Sequence, residues 1–281
     1  MKVAVITDTH FGARSNNKLI LEHQLKFLEN VFFPEIRRQG IEYVFHLGDL
    51  VESKTKIDIA IHNAMHTHFL EVLNDDFITY MIPGNHDLYF KDSLRINAMT
   101  EFAEKYENIW VFKEPTEILD ILMVPWICEE NYNKCINAIN TTKSQVCFGH
   151  FEITGAKMNE GRVCEHGLNK SIFQKFDVVA SGHFHSRSKL GNIEYIGNPH
   201  QTTWSDWDEE RGFSIFDIDS RTFEFIKNPE NIFEKIIYND SENINMEPNV
   251  HKKYVKLIVK TKNDPYKFEQ YINLIENAGP I

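Results

Sequence analysis

Short apolar runs that stop at polar residues recur along the first two thirds of the chain. Residues 3–7, 43–47, 78–82, 145–148 and 177–181 are rich in β-branched, aromatic and other apolar residues and read as strands. Between them the spacing turns helical. Leu19, Leu21, Leu25, Leu28 and Phe32 mark the apolar side of a helix over 17–39, which Pro34 is expected to kink or end. A second helix is predicted over 57–73. Its apolar residues (Ile57, Ile61, Met65, Phe69 and Val72, with Ala60 and Ala64) cover a wide arc, which calls for two partners: its own sheet, or a second copy of the chain. Further helices are predicted over 94–105 and 130–140. Beyond residue 185 the pattern shifts to short strands of antiparallel character at 193–196, 212–217 and 222–227, the last two closing a hairpin around Asp219 and Ser220. Residues 204–210 read as an acidic loop whose Trp204 and Trp207 either pack on the sheet or stack on bases. The polar stretch 228–250 reads as a linker or a strand crossing into a second unit. A strand over 253–262 and a helix over 264–278 follow, with Asp264 as N-cap and Pro265 in the first turn.

Each of the five apolar runs ends in a motif with chemistry in it. The motifs are Asp8-Thr9-His10, Gly48-Asp49, Gly84-Asn85-His86-Asp87, Gly149-His150 and Gly182-His183-Phe184-His185. Open α/β folds bind ligands where strands end, so the five motifs point to one site. Mixed oxygen and imidazole donors suit Mn, Fe or Zn better than Mg or Ca. Two such ions roughly 3.5–4 Å apart share a bridging ligand, a task a carboxylate can do, and together they promote displacement at phosphorus. The glycines before the ligands are expected to let the backbone turn sharply. Singly, each motif is ordinary; five in order, each after an apolar run, are not. His62, His66 and His68 have a spacing that can bind zinc, but they lack a metalloprotease Glu and read as a solvated or interface face.

The five motifs resemble those of the calcineurin-like metallophosphoesterase superfamily. The Gly182–His185 motif, the Tyr195-Ile196-Gly197-Asn198-Pro199 segment and residues 198–206 resemble the SbcD-type DNA repair nucleases, bacteriophage recombination endonuclease subunits in particular. The likeness covers residues 1–225 and weakens beyond. It implies an α/β fold, a two-sheet sandwich flanked by helices, over 1–228, with 229–281 as part of a small α+β capping domain, truncated after its first helix. It implies two divalent ions, Mn2+ foremost. Asp8, His10 and His185 would hold the first, Asp49 would bridge, and Asn85, His150 and His183 would hold the second. His86 would orient the phosphate or protonate the leaving oxygen, work suited to a group whose unperturbed pKa is about 6.5. Asp87 either orients His86 or caps a helix. The resemblance also implies DNA as substrate, a coiled-coil ABC-type ATPase as partner, and a homodimer through the helices near 57–73. Many cellular relatives have Gly-Ser where this chain has Gly197-Asn198. Protein phosphatases carry an Arg after the Gly-Asp motif, whereas Asp49 is followed by Leu50, Val51, Glu52 and Ser53.

Thirty basic and 41 acidic residues give a net charge of −11, which argues against a simple basic DNA-binding module. Local basic spots (Arg14 with Lys18, Lys54 with Lys56, Arg187 with Lys189) follow ligand motifs. Together with Asn198 they are the candidate DNA contacts, against a reading as solvated loop charges. Cys128, Cys135, Cys147 and Cys164 form no framework and read as buried thiols in a reducing compartment, which points to the cytoplasm, of the host if the chain is viral. No apolar stretch approaches the roughly 20 residues of a membrane span. The reading is a Mn-dependent DNA endo- and exonuclease subunit. Its alternatives are a phosphoesterase of the same superfamily acting on nucleotides or phosphoproteins, and a scaffold, which the intact ligand set disfavours.

Overall fold

The five apolar runs fold as the strands Lys2–Ile6, Tyr43–His46, Ile78–Met81, Val146–His150 and Val178–Gly182. The computed structural model describes residues 1–159, 161–242 and 249–281. The first three strands are parallel neighbours in a six-stranded sheet, with Ile109–Val111 beyond the third. The other side of that sheet is antiparallel, built from Gly212–Asp217 and its hairpin partner Thr222–Lys227. The last two runs lie at the centre of a second six-stranded sheet. Ile121–Val124 and Ile193–Tyr195 flank them in parallel, and antiparallel Thr116–Ile118 and Ser188–Leu190 form its edges.

Successive side chains point to opposite faces of a sheet, and here both faces are covered, which is why the strands read as unbroken apolar runs. Val3, Val5 and Phe45 of the first sheet share a core with Met123, Phe148 and Ala180 of the second. Phe148 makes edge contacts with Phe45 at 5.4 Å and Phe216 at 5.3 Å between ring centroids. The neighbours Ala4, Ile6 and Val44 face the other way, into a helical layer that contains Phe27, Phe32 and Phe69. Leu122, Cys147 and Val179 meet Cys135 and Ile139 of the helix Tyr132–Thr141 on the outside of the second sheet. The result is the implied two-sheet α/β sandwich with helices on both sides. All four cysteines are free and buried.

Local outcomes differ from expectation in instructive ways. Pro34 does not end the helical run. Lys18–Phe27 passes into a π-helical turn, Leu28–Phe32, where the Phe33 N–H reaches back five residues to the Leu28 carbonyl. Pro34 then stands in the first turn of Phe33–Arg38, a position that tolerates its missing N–H. The second helix has the same construction: Ile59–Met65, a π turn at His66–Leu70, then Glu71–Asp76. Its Ile61, Met65, Phe69 and Leu73 are spent on the chain's own core, while Ile59 is 86% exposed. His66 lies between His62 (Nε2 to Nε2, 3.0 Å) and the Tyr106 hydroxyl at 2.8 Å. The helix expected over 94–105 shrinks to Ala98–Ala103. Residues Ser93–Asn97 instead pair with Leu88–Phe90, and Asn97 caps the helix by accepting the Thr100 N–H. Ile193–Tyr195 runs parallel to Val178–Gly182 and is antiparallel only to the edge strand.

Residues 201–209 and 229–281 form a compact unit distinct from 1–200 and 210–228. Within it Phe233–Asn239 pairs in parallel with Tyr254–Thr261. The helix Pro265–Asn277 packs Tyr271 and Ile275 with Tyr238, and Asp264 caps it through the Tyr266 and Lys267 amides. Trp204 lies 4.8 Å from Phe233, and the Lys235 ammonium stands 3.8 Å over Trp207, so both indoles are engaged in packing within this unit. The stretch 228–250 lies partly outside the described residues, at 243–248.

The sandwich makes a stability prediction. Phe148→Ala removes an aromatic ring from between the two sheets and should cost about 3–5 kcal/mol. Denaturant unfolding measures it; a loss below about 1 kcal/mol would mean that the two sheets do not depend on this contact.

Candidate metal centre

The loops after the strands are stitched together by backbone hydrogen bonds. The Asp8 N–H donates to the Gly48 carbonyl (2.9 Å) and the His10 N–H to that of Asp49 (3.1 Å). Asp8, His10, Asp49 and His183 all have left-handed backbone, with φ of 51°, 45°, 56° and 87°. Such conformations persist in non-glycine residues only where the surroundings enforce them, and they gather at functional sites. The glycines play two different parts. Gly48 turns the chain with φ of 102°. Gly84 is there for clearance: a Cβ on it would stand 2.3 Å from Asp49 Oδ1.

Seven predicted side chains converge. His10 Nε2 lies 3.0 Å from His185 Nε2, 3.8 Å from Asp8 Oδ1 and 3.7 Å from Asp49 Oδ2. On the other side of Asp49, His150 Nε2 is 3.4 Å from Oδ2. Asn85 Oδ1 meets both His150 Nε2 (3.1 Å) and His183 Nδ1 (2.8 Å). Asp49 therefore stands between two groups of donors, and its Oδ1 also accepts the His86 N–H at 2.8 Å. Asp8 with His10 and His185, and Asp8 with Asp49 and His150, each gather donor atoms closely enough to share an ion.

The electrostatics favour cations. Asp8 and Asp49 are buried to 0% and 1% exposure. Burial pushes the Asp8 carboxyl up, but His10 and His150 outweigh it and hold it at about 2. Burial likewise opposes ionisation of Asp49, yet His150 and His10 keep it well below the usual carboxylate range. Burial lowers His150, and Asp49 overrides it to raise the ring to about 9. Desolvation of the half-buried His183 ring, with the charge of His150 beside it, drops it to about 4. Two buried anions with imidazole and amide donors around them fit divalent ions, which bring the charge that the carboxylates lack.

Two expected roles need correction. The Asp87 carboxylate does not orient His86, and it caps no helix. It accepts the amides of Asp49, Leu50 and Gly84 at 2.8, 3.0 and 2.8 Å, and so ties one ligand loop to another. Burial and the Asp49 charge push it up to about 7, against the pull of the Gly84 amide. Asn198 is not available to nucleic acid: it is 1% exposed, and its Oδ1 accepts from the buried Arg211 guanidinium, which also donates to the His185 carbonyl. Arg14, Lys54 and Arg187 are exposed, Arg187 lying 4.6 Å over the Phe225 ring.

Three residues escaped the sequence reading. Glu52 serves two histidines: its carboxylate lies 2.9 Å from His10 Nδ1, and its backbone carbonyl 2.8 Å from His86 Nδ1. Its position three residues after Asp49 was the available signal. Arg211 clamps the His185 loop from just before the strand Gly212–Asp217, with no local signal. Trp126 packs on His150 and His183 at 5.9 and 5.1 Å between ring centroids.

Residues 1–187 match the calcineurin-like phosphoesterase family. The chain belongs to that family. Among curated proteins it is 32% identical over 245 residues to exonuclease subunit 1 of Enterobacteria phage T4, a match that covers 85% of this chain and 71% of that protein. Among solved structures, an archaeal phosphodiesterase is 14% identical with a TM-score of 0.42, covering 81% of this chain and 100% of that one. A purple acid phosphatase from yellow lupin (Lupinus luteus) seeds is also 14% identical with a TM-score of 0.42, covering 80% and 49%. As a calcineurin-like phosphoesterase the chain is a hydrolase of phosphoester bonds. The family works with divalent metal ions, and the donor set here fits them.

Glu52 gives the prediction. Carboxylates behind metal-binding imidazoles typically contribute 10–100-fold in metal affinity. Glu52→Ala should weaken Mn2+ binding by roughly that factor, with Glu52→Gln between it and wild type. Calorimetric titration decides; wild-type affinity in the Ala variant would remove Glu52 from the site.

Proposed function

We propose that this chain is the nuclease subunit of a DNA-processing assembly, hydrolysing phosphodiester bonds of DNA with two divalent ions, Mn2+ foremost. The convergence of the seven donors about Asp49 carries the reading, in a chain 32% identical to a phage exonuclease subunit. Asp8, His10 and His185 would hold one ion, Asn85, His150 and His183 the other, and Asp49, whose Oδ2 faces both His10 and His150, would be shared between them. When bound, such a pair supplies a nucleophile at neutral pH and charge for the oxygens at phosphorus. His86 works beside it. Its Nδ1 donates to the Glu52 carbonyl, which sets the ring and leaves Nε2 for the substrate. From there it orients the phosphate or, when protonated, hands a proton to the leaving oxygen.

Residues 1–228 carry this chemistry, and 229–281 contribute part of a capping unit. Substrates of the reading are single strands, cut internally, and duplex ends. With a net charge of −11, backbone contacts fall to exposed Arg14, Lys54 and Arg187 and to a coiled-coil ABC-type ATPase partner. The setting of the reading is the cytoplasm, of the host for a viral chain. Among the described residues no helix is long and apolar enough to cross a membrane.

The purified chain should cut single-stranded DNA with Mn2+ and not with chelator, and Asp49→Asn and His86→Gln should each lower the rate by on the order of 100-fold or more. Hydrolysis of a small phosphodiester without cleavage of DNA, even with the ATPase present, would sink the nuclease reading and favour a nucleotide phosphoesterase. The reading also includes a homodimer through the helices of 59–76, where Ile59 is left outside the core. Sedimentation should show dimers that Ile59→Glu dissociates, and a monomeric wild type would end that part of it.

A further inference from the structure

We propose that a cavity beside the metal centre receives the nucleobase next to the scissile phosphate, an inference that rests on the nuclease reading for where the phosphate lies. The cavity measures about 410 Å³, inside the roughly 300–1,000 Å³ range of small-ligand pockets. The buried His150 is among its lining residues, which places the cavity beside the second half of the metal centre. Trp126, packed on His150 and His183, is part of the same wall.

The lining selects the ligand. Trp126, Tyr132, Ile136 and Ile172 offer aromatic and aliphatic surface. Glu152 and Asn169 add a carboxylate and an amide. Among the described residues that line the cavity there is no Lys or Arg, and the Glu152 charge repels a phosphate. A flat, uncharged ring with hydrogen-bonding edges fits this surface: its face stacks on an aromatic side chain, and its exocyclic amino group donates to Glu152. An acceptor-only carboxylate favours bases that carry such an amino group over thymine. The Glu152 segment is held in place, since its carbonyl accepts the Leu168 N–H at 2.8 Å and the Thr154 N–H donates to the Leu168 carbonyl at 3.0 Å. Gly167 permits that contact, because a Cβ there would stand 2.4 Å from the Glu152 carbonyl oxygen.

The test compares two probes on the full chain with Mn2+: deoxyadenosine 5′-monophosphate and deoxyribose 5-phosphate, which lacks the base. Calorimetry should find the nucleotide bound on the order of tenfold more tightly. Ile172→Trp, which fills the cavity, should bring the ratio to about one without weakening the sugar phosphate. Tyr132→Ala, at a residue 49% exposed and so tolerant of truncation, should lower the ratio as well. Equal affinities in the wild type, or a ratio that neither variant moves, would overturn the pocket. The two readings fail separately: DNA cleavage without a base preference removes the pocket alone. A base preference without DNA cleavage removes the nuclease and leaves a nucleotide site.

Discussion

Asp8 and Asp49 lie where neighbouring parallel strands end, and neither reaches water. Buried charge is costly unless it is paired and hydrogen-bonded, and two like charges close together compound the cost. Much of the surrounding structure answers that demand. The His183 amide turns toward Asp8, the His86 amide toward Asp49, and the imidazoles of His10 and His150 close in. The left-handed backbone at four of these positions costs on the order of 1–3 kcal/mol each. That cost is borne by the sandwich beneath, whose strands are pinned on both faces and so present their loop ends in fixed places.

How much of this could be read in the chain depends on the range of the interaction. The ligand loops were legible because each lies within a few residues of an apolar run, and a run buried on both faces has a signature that survives without structural context. The strands and the helices between them read as an α/β fold, while its division into two sheets is what the family resemblance implies. Pro34 does not stop the helical run because it falls in the first turn of Phe33–Arg38, after the π turn at Leu28–Phe32, where a missing N–H is tolerated. Over residues 93–97 the alternation of Leu94 and Ile96 has the period of a strand, and the hairpin with Leu88–Phe90 makes it one, so the helix begins only at Ala98.

The least legible layer lies behind the ligands. Asp87 looked like a partner of the adjacent His86, yet it reaches across to the loop of Asp49, thirty-eight positions back. Arg211 and Asn198 look like surface polar residues in sequence, but they bury against each other and hold the His185 carbonyl. Long-range contacts of this kind have no local periodicity, so only the assembled structure reveals them.

The division between the two units has a consequence for how such chains can be exchanged. The second unit is not a tail: residues 201–209 belong to it, and the chain then returns to the first unit for 210–228 before leaving again. The seam is thus crossed three times, and a segment that carries Trp204 and Trp207 is donated from inside the first unit's sequence. Recombination between relatives at residue 229 would separate these indoles from the Phe233 and Lys235 they were matched to. Inheritance of the C-terminal unit is therefore coupled to a short internal stretch. The two should be retained or lost together, as one heritable module written in two places.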